Sequence, residues 1–424
     1  MLTIAIAGLG TVGAGAVKLL QKNAELIARR TGNPIKIKAV SAHDKAKKRD
    51  CDLSGIDWVD DVQNLGQLPG VDVVVELMGG AEGPARKLAE NALKNGKHLI
   101  TANKALMATH GVALAKLAES NKVQIAYEAA VAGGIPVIKA LREGLAGNTV
   151  HSVRGILNGT CNYILTRMRD AGLTFDAALA EAQKLGYAEA DPSSDVDGHD
   201  TANKLAILAA LAFGTEPDLT NVQIEGIRRI TPLDLQYAEQ LGCRVKLLGV
   251  ARMTEKGLEQ RVGPCLVPKK MPLAHVSGAL NAVLTRGDFV GDIMLEGAGA
   301  GAEPTASAVV ADIMDLARGM KYPVFGVPVA QLKKAQPVRD GAKARHYTRL
   351  QVMDKPGVVA DISAILRDEA ISIESLLQRG KTENSVPVVM ITHESSVTAI
   401  RKAIEKIAQL KTTFEPPCLM QIED

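Results

Sequence analysis

The stretch from Gly186 to Lys204, GYAEADPSSDVDGHDTANK, is well suited to chemistry because it combines several carboxylates with a lysine. It leads into the unbroken apolar run Leu205 to Phe213, so its last residues are predicted to begin a buried helix. On that helix Asp200 and Lys204 are four residues apart and share a face. An inward-facing pair would have shifted pKa values, as proton transfer requires. A solvated acidic loop followed by a surface ion pair is the alternative.

The same stretch has the spacing of a calcium-binding loop. Ser193, Asp195, Asp197 and Gly198 fall at EF-hand-like positions. The twelfth position of such a loop needs a bidentate glutamate, but here it is Lys204, and a cation there repels calcium. We therefore exclude a calcium loop of this kind.

A dinucleotide site is predicted at the start of the chain, where the apolar strand Leu2 to Ala7 runs into GLGTVG. Apolar residues then recur at helical spacing, so the motif has the strand, turn and helix that it needs. The first glycine permits a tight turn, the second lets a pyrophosphate approach, and the third allows close helix packing. The helix N-terminus favours the anion. The predicted cofactor-binding residues are Gly8, Gly10, Thr11, Val12 and Gly13.

The residues after the second predicted strand, Ile35 to Val40, bear on the choice of cofactor. Where an NAD enzyme usually has an acidic residue, the chain has Ser41-Ala-His43, followed by Asp44 and a basic run that ends at Arg49. Small residues before cations favour the 2′-phosphate of NADP. Asp44 is close enough to keep NAD possible.

Lys104 is expected at the cofactor edge of the first sheet. Buried strands are predicted over Val71 to Val75 and His98 to Ile100, with a helix from Pro84 to Asn95 between them. TANK follows the second of these strands, which places Lys104 where a nicotinamide would lie. A surface lysine at a turn is the alternative.

The overall prediction is an α/β fold in three parts. Residues 1–131 form a Rossmann-type parallel sheet, completed by about 302–330. Residues 132–301 form an α+β substrate-binding and oligomerisation domain, whose alternating strands indicate a mostly antiparallel sheet. A glycine cluster near its end, 297–304, is interpreted as a hinge or a close approach to ligand before a helix from Thr305 to Arg318. A flexible turn is the alternative.

The C-terminal part reads as a small regulatory module. Residues 331–345 are a predicted polar linker, and residues 346–424 follow a βαββαβ pattern, the ferredoxin-like arrangement. So small an open sheet is more typical of a binding or pairing module than of a catalyst.

Composition excludes several classes of function. The 424 residues carry a net charge of only +3, with Lys and Arg spread out, and 3% are aromatic. Neither a nucleic-acid surface nor a platform for stacking single strands is expected. No apolar segment approaches the ~20 residues that span a membrane, and no signal peptide is evident. The five cysteines lack a CxxC pair, which favours free thiols in a cytoplasmic protein without structural zinc.

Taken together, these motifs resemble those of the homoserine dehydrogenases that carry a C-terminal ACT domain. The sequences GLGTVG, TANKALMA, EAAVAGGIP, GYAEADPSSDVDGHDTANK and GAGAGAEPTASAV follow the order of that family. The resemblance implies reversible interconversion of L-homoserine and L-aspartate 4-semialdehyde with NAD(P), on the route to threonine, isoleucine and methionine. It also implies a homodimer or homotetramer, and feedback inhibition by threonine bound beside the loop Asp354 to Gly357.

The resemblance also implies residue roles. Glu189 and Asp200 bind the amino and hydroxyl end of the substrate, with Asp195 in support. Lys204 is the acid/base for the hydroxyl proton, while Lys104 contacts substrate and nicotinamide and shares in the proton transfer. A lysine can serve as a base only if its pKa falls towards neutrality. Lys104 could lower the pKa of Lys204, and the carboxylates would oppose it.

Two further sets of residues follow from the same resemblance. Gly186 and Gly301 line the cofactor side of the site. A monovalent cation, expected to be sodium, holds the domain junction through the Glu128 side chain and the backbone carbonyls of Val131, Gly133 and Ile135.

Two rival functions stay open on sequence alone. 3-Phosphoglycerate and prephenate dehydrogenases also join a Rossmann fold to an ACT domain, although the first usually has its glycine motif in mid-chain and a catalytic His and Arg. A sensor that binds NADP or an amino acid without turnover is the other. An inward pair of Asp200 and Lys204 argues against the sensor, because binding alone does not need it.

Overall fold

The computed structural model describes residues 1–338, 340–341, 343–378 and 385–423. Its N-terminal part is a parallel sheet of β1 (Leu2–Ala7), β2 (Ile35–Ser41), β3 (Asp57–Trp58), β4 (Val73–Glu76), β5 (His98–Thr101) and β6 (Ile125–Ala126). The accompanying helices are α1 (Thr11–Lys22), α2 (Ala24–Thr31), α3 (Pro84–Lys94) and α4 (Lys104–Ser120). The strand order β3-β2-β1-β4-β5-β6 is that of Rossmann sheets. Ile4, Ile6, Val73 and Val75 are fully buried, as a sheet covered on both faces requires.

The middle part is a mostly antiparallel sheet with helices on one face. Its strands are β7 (Val150–Ile156), β8 (Gln223–Ile224), β9 (Cys243–Thr254), β10 (Gly257–Pro268), β11 (Leu280–Gly287) and β12 (Gly291–Ala298). Its helices are α5 (Val137–Lys139), α6 (Gly159–Ala171), α7 (Phe175–Lys184), α8 (Ser193–Val196), α9 (His199–Phe213) and α10 (Pro232–Gln240). Helix α11 (Ala302–Ala317) follows its last strand. The sequence did not indicate β8 or the β11–β12 hairpin.

Helix α11 returns the chain to the first sheet. Val309 and Ile313 on α11 are buried in one cluster with Ile4 and Val17. The helix begins at Ala302 rather than Thr305, and the first residues of the glycine cluster belong to β12. In this cluster the backbone at Gly299 packs closely against the backbone at Gly133. A Cβ on Gly133 would lie 2.4 Å from the carbonyl oxygen of Gly299.

The C-terminal part has the predicted βαββαβ order. Its elements are β13 (His346–Met353), α12 (Val358–Asp368), β14 (Ile373–Gln378), β15 (Ser385–Thr392), α13 (Val397–Ala408) and β16 (Cys418–Ile422). The strands lie in the order β14-β15-β13-β16. The prediction of a separate open sheet needs correction, because the outer edge of β16 pairs with Cys265 and Leu266 of β10. The unsatisfied backbone groups of a sheet edge explain this pairing, and both parts form one ten-stranded sheet.

The residue after β16 strengthens this junction. Glu423 is fully buried, and its carboxylate contacts three arginines from three strands of the middle sheet. Arg154 Nε lies 3.3 Å from it and an Arg252 guanidinium nitrogen 3.0 Å, and Arg261 also donates to it. The predicted linker is docked as well, since Leu258 exchanges backbone hydrogen bonds with Gln336 and Val338.

Two expectations about the chain as a whole can be compared with the structure. The five cysteines are unpaired. Within the described ranges, no helix is both long enough and apolar enough to cross a membrane.

Candidate active site

The predicted pair on α9 faces the protein interior. Gly198, with φ +90°, ends the preceding loop and lets α9 begin against the middle sheet. Asp200 is 3% exposed and Lys204 9%. Lys204 Nζ donates to Asp200 Oδ2 at 2.8 Å and to the carbonyl oxygen of Leu157 at 2.7 Å. This geometry excludes the solvated surface pair.

Lys104 reaches the same carboxylate from the first sheet. It is the first residue of α4, at the carboxyl end of β5, and Asn103 caps that helix. Lys104 Nζ lies 2.6 Å from Asp200 Oδ1, while 42% of the Lys104 side chain stays exposed. Asp200 therefore joins one lysine from helix α4 and one from helix α9, and the Lys104 side chain leaves this cluster partly open to solvent.

The charges of this cluster depend on one another. Burial opposes ionisation of Asp200, but the ammonium groups of Lys204 and Lys104 outweigh it and hold the pKa of Asp200 below its usual range. Burial would lower the pKa of Lys104, but Asp200, with help from Asp195 and Glu189, raises it. For Lys104 the attraction of the carboxylates therefore outweighs the effect of burial.

Asn158 organises the acidic side of the cluster and was missed in the sequence. Its Nδ2 donates to Asp195 Oδ1 at 2.7 Å and to Asp200 Oδ2 at 2.9 Å, and its Oδ1 caps α6 through Cys161 N. Burial raises the pKa of Asp195, the Asn158 hydrogen bond opposes that rise, and Asp200 adds to it. The available signal was an Asn-Gly-Thr at a strand-to-helix junction, where asparagine is a favoured N-cap.

Glu189 and Gly186 lie on the open side of the cluster. Both are exposed, and Glu189 is close enough to Lys104 to contribute to its raised pKa. Gly186 has φ +77° in the turn that ends α7. Beneath them Thr160 Oγ1 donates to the carbonyl oxygen of Tyr187 at 2.6 Å. The structure thus brings Glu189, Asp195, Asp200, Lys104 and Lys204 to one place.

A cavity of about 800 Å³ lies at the predicted dinucleotide edge, lined by Gly8 and Gly10 and by Ser41 to Asp44. A Cβ on Gly13 would lie 2.0 Å from the carbonyl oxygen of Gly8, so the turn requires glycine there. No atom lies within 4 Å of a Cβ position on Gly10, which leaves room for a pyrophosphate. Thr11 and Val12 form the first turn of α1. These residues fit a dinucleotide.

Gly301 also approaches this edge of the first sheet. It precedes α11 with φ +115°. A Cβ on Gly15 of α1 would lie 3.0 Å from the carbonyl oxygen of Ala302, so the start of α11 packs directly on α1.

Glu128 lies at the junction of the first two sheets. Its carboxylate accepts from Ile138 N at 2.8 Å and Lys139 N at 2.9 Å. Burial, with Asp312 nearby, raises the pKa of Glu128 to about 7, and burial raises that of Asp312 to about 6 against the attraction of Lys139. A cation is electrostatically suited to this junction. In the described part of the chain no three His, Cys, Asp or Glu side chains group as metal ligands, so carbonyl oxygens would have to complete such a site.

Comparison with known proteins decides the family. The homoserine dehydrogenase family profile matches residues 136–314, the profile of its NAD-binding domain matches 8–128, and the ACT domain profile matches 346–409. Homoserine dehydrogenases of Neisseria gonorrhoeae and Pseudomonas aeruginosa are 45% and 44% identical, each over 99% of this chain and 98% of the relative. This chain belongs to the homoserine dehydrogenase family.

Solved homoserine dehydrogenases share the fold. The enzyme from Thiobacillus denitrificans superposes with a TM-score of 0.92 and 42% identity, covering 100% of this chain and 98% of that one. A hyperthermophilic archaeal homoserine dehydrogenase in complex with NADPH gives a TM-score of 0.64 and 27% identity, over 76% of this chain and 99% of that one.

Membership in the homoserine dehydrogenase family confirms the activity predicted from the sequence. The chain is an NAD(P)-dependent oxidoreductase that interconverts L-homoserine and L-aspartate 4-semialdehyde. The predicted fold class is confirmed as well, and the ACT domain indicates regulation by an amino acid. The rival ACT-linked dehydrogenases and the non-catalytic sensor are set aside.

Proposed function

We propose that the cluster around Asp200 performs the proton transfer of the homoserine dehydrogenase reaction. The observation that carries this proposal is the convergence of Lys204 and Lys104 on one buried carboxylate, at the carboxyl edge of the Rossmann sheet. NAD(P) bound at that edge supplies hydride chemistry. When homoserine is oxidised, Lys204 Nζ accepts the hydroxyl proton. In the reverse direction it donates that proton to the forming alkoxide.

The remaining residues of the cluster position the substrate. Glu189 and Asp200 bind the amino and hydroxyl end of homoserine, and Asp195 supports Asp200 through the Asn158 amide that joins them. Lys104 contacts substrate and nicotinamide and shares in the proton transfer. Its partial exposure supports this role, because a substrate can displace solvent there. Gly186 and Gly301 line the cofactor side.

NADP is the preferred cofactor in this proposal. Asp44 Oδ1 accepts from the backbone N–H groups of Ala46 and Lys47 at 2.8 and 3.2 Å, so this carboxylate is already engaged within its own loop. Lys47 and Arg49 line the cavity, and the Arg49 guanidinium lies 5.4 Å from the centre of the Trp58 ring. These cations suit a 2′-phosphate. The archaeal relative was solved with NADPH.

Sodium is the proposed cation at the domain junction. Glu128 would hold it together with the carbonyl oxygens of Val131, Gly133 and Ile135. The Ile135 carbonyl accepts from Val137 N at 2.8 Å and keeps a second lone pair. The cation would offset the buried charge of Glu128 and Asp312 without taking part in proton transfer.

The proposal also covers regulation, assembly and location. Threonine would inhibit through the ACT domain of a homodimer or homotetramer in the cytoplasm, where the five cysteines stay reduced. Phe289, 94% exposed on the β11–β12 turn, is an apolar group that assembly would cover.

The proposed domain limits are 1–131 with 302–330, 132–301, a linker at 331–345, and 346–424.

An absorbance assay at the nicotinamide band tests the proposal. Full-length protein with L-homoserine and NADP⁺ should form reduced cofactor, with a lower KM than for NAD⁺. Assays with and without sodium and threonine test the other parts. Absence of homoserine-dependent reduction with either cofactor would refute the assigned chemistry.

A further inference from the structure

A buried carboxylate at the carboxyl edge of the first sheet has no part in the chemistry described so far. Glu76 is the last residue of β4, and its side chain is fully buried. Its Oε1 accepts from Met78 N at 2.7 Å and Gly79 N at 3.1 Å, and its Oε2 accepts from Thr101 Oγ1 at 2.6 Å. Burial of a carboxyl group costs free energy unless hydrogen bonds satisfy it. These three contacts therefore hold the carboxylate in one position.

Thr101 extends this network to Lys104. The Thr101 hydroxyl donates to Glu76 and also accepts from Asn103 N at 3.0 Å. Asn103 Oδ1 in turn accepts from Leu106 N at 3.0 Å and caps α4, whose first residue is Lys104. Thr101 is fully buried and Asn103 is 5% exposed, so water does not compete strongly for these contacts. The position of the start of α4, and with it of Lys104, therefore depends on Glu76.

The same network holds the loop 77–80, which borders the cofactor cavity. Asn103 Nδ2 donates to the carbonyl oxygen of Gly80 at 2.6 Å, which ties this loop to the start of α4 a second time. Leu77 lines the cavity of about 800 Å³. A Cβ on Gly8 would lie 2.6 Å from the carbonyl oxygen of Leu77, so the loop packs directly against the glycine turn. A shift of this loop would therefore move one wall of the cavity.

We propose that Glu76 is a positioning residue for the dehydrogenase reaction, which holds Lys104 in register with the loop 77–80 at the cofactor edge. The contact with Asp200 fixes only the ammonium end of Lys104. Glu76 and Thr101 fix its backbone end on the Rossmann side. Reaction rates depend steeply on such geometry, since a misplacement of about 1 Å can cost a hundredfold. The inference rests on the proposed role of Lys104 towards substrate and nicotinamide.

Two buried threonines allow a matched test. Thr101→Val removes the hydroxyl that joins Glu76 to Asn103 and should lower kcat about tenfold. Thr31→Val is the control, because Thr31 Oγ1 likewise accepts from the backbone N–H group two residues further on, Asn33 N at 3.2 Å. Thr31 ends α2 at the opposite edge of the sheet, so this variant should keep a near-normal kcat. Thr101→Ser restores the hydroxyl and should recover most of the lost rate. Equal losses in the two valine variants would overturn the inference.

A double-mutant cycle separates the positioning of Lys104 from a general loss of structure. Glu76→Gln replaces a carboxylate oxygen with an amide nitrogen that cannot accept a hydrogen bond, and it should lower kcat about tenfold at saturating cofactor. In the Lys104→Met background the same change should have almost no further effect on kcat, because the group that Glu76 positions is absent. Losses that multiply in the double variant would overturn the inference.

The single variant Lys104→Met distinguishes this inference from the proposed function. A near-normal kcat in Lys104→Met would refute the proposed role of Lys104 and the inference with it. A low kcat in Lys104→Met together with a near-normal kcat in Glu76→Gln would refute the positioning role alone. Circular dichroism and thermal unfolding of the full-length variants show whether each one folds. If Glu76→Gln does not fold, Thr101→Val takes its place in the cycle.

Discussion

Two buried carboxylates lie on opposite faces of the same sheet, and each is surrounded by cations. Asp200 rests over the face that Gly249 presents to α9, where Lys204 and Lys104 contact it. Glu423 lies on the other face. Arg154 and Arg261 both lie opposite Val250 on the neighbouring strands, and Val250 follows Gly249, so the side chains at these positions point to the opposite face of the sheet. Charge and burial are therefore similar at the two places.

The cations distinguish the two clusters. A lysine can give up its proton when its surroundings change, whereas an arginine stays protonated near neutral pH. Burial and the neighbouring arginines lower the pKa of Arg154 only to about 10. Lys104 is also 42% exposed, while Arg154 is 8% exposed at its side chain. The first cluster is built to exchange a proton and admit a ligand, and the second is built to stay closed.

Removing the proton carrier should have the largest effect. Lys204→Ala should lower kcat by about a thousandfold, within the range for loss of a general acid or base, with little change in NADPH affinity. Steady-state kinetics and fluorescence titration measure the two quantities. Lys97→Met is a matched loss of a buried lysine that donates to the carbonyl oxygens of Leu68 and Val71. It should keep near-normal kcat, and equal losses in both variants would contradict the assignment.

Disrupting the cluster of Glu423 and its arginines should lower the stability of the fold but not the turnover. Glu423→Gln removes the buried negative charge that Arg154, Arg252 and Arg261 share, so it should reduce the free energy of unfolding by about 3 kcal/mol. Urea unfolding followed by circular dichroism measures this, while kcat per folded molecule stays within about twofold. Glu374→Gln removes a more exposed partner of Arg345 and should cost about 1 kcal/mol or less. If Glu423→Gln reduces the free energy of unfolding less than Glu374→Gln does, the stabilising role assigned to the Glu423 cluster is wrong.

Replacing Asn158 tests whether its side-chain amide sets the pKa of Asp195. Asn158→Ala should lower kcat/KM about tenfold to a hundredfold. Without the amide donor the pKa of Asp195 rises further, so the acid limb of the pH profile should move to higher pH. Asn162→Ala removes a buried amide from the same helix, one that accepts from Lys246. If this control moves the limb equally, the role of Asn158 is only structural.

Glu128 should give the smallest effect. Its pKa rises from 4.5 to about 7 in the folded chain. Between these values the folded chain binds more protons than the unfolded chain, so stability falls as pH rises through that window. Sodium should offset that loss above pH 7, by about 1 to 2 kcal/mol. Glu128→Gln should remove the sodium dependence and leave only the pH dependence that Asp312 contributes below about pH 6. Thermal unfolding in sodium and in choline chloride measures this, and identical curves would exclude the cation site.

Local patterns predicted the parts of the fold that depend on neighbouring residues. The glycine motif, the βαββαβ order and the shared face of Asp200 and Lys204 all follow from spacings of a few residues. Lys104 could be placed because parallel strands bring their carboxyl ends to one edge. The activity followed from the same motifs together with the family resemblance.

The missed features depend on contacts between distant residues. Asn158 joins Asp195 and Asp200, which lie 37 and 42 residues further on, and its sequence setting indicates only a helix cap. The pairing of β16 with β10 joins residues far apart in the chain, and no local pattern selects that edge. In the sequence Glu423 has no feature that distinguishes it from an exposed acidic residue. Only the fold brings the three arginines around it.

The contact between Lys104 and Asp200 joins helix α4 to helix α9, whereas the contact between Lys204 and Asp200 stays within α9. A rotation that opens the cleft would therefore separate Lys104 from the carboxylate while Lys204 stayed in place. The number of positive charges that face an incoming substrate would then change with the hinge angle. Domain closure in this enzyme would thus act as an electrostatic gate as well as a mechanical one.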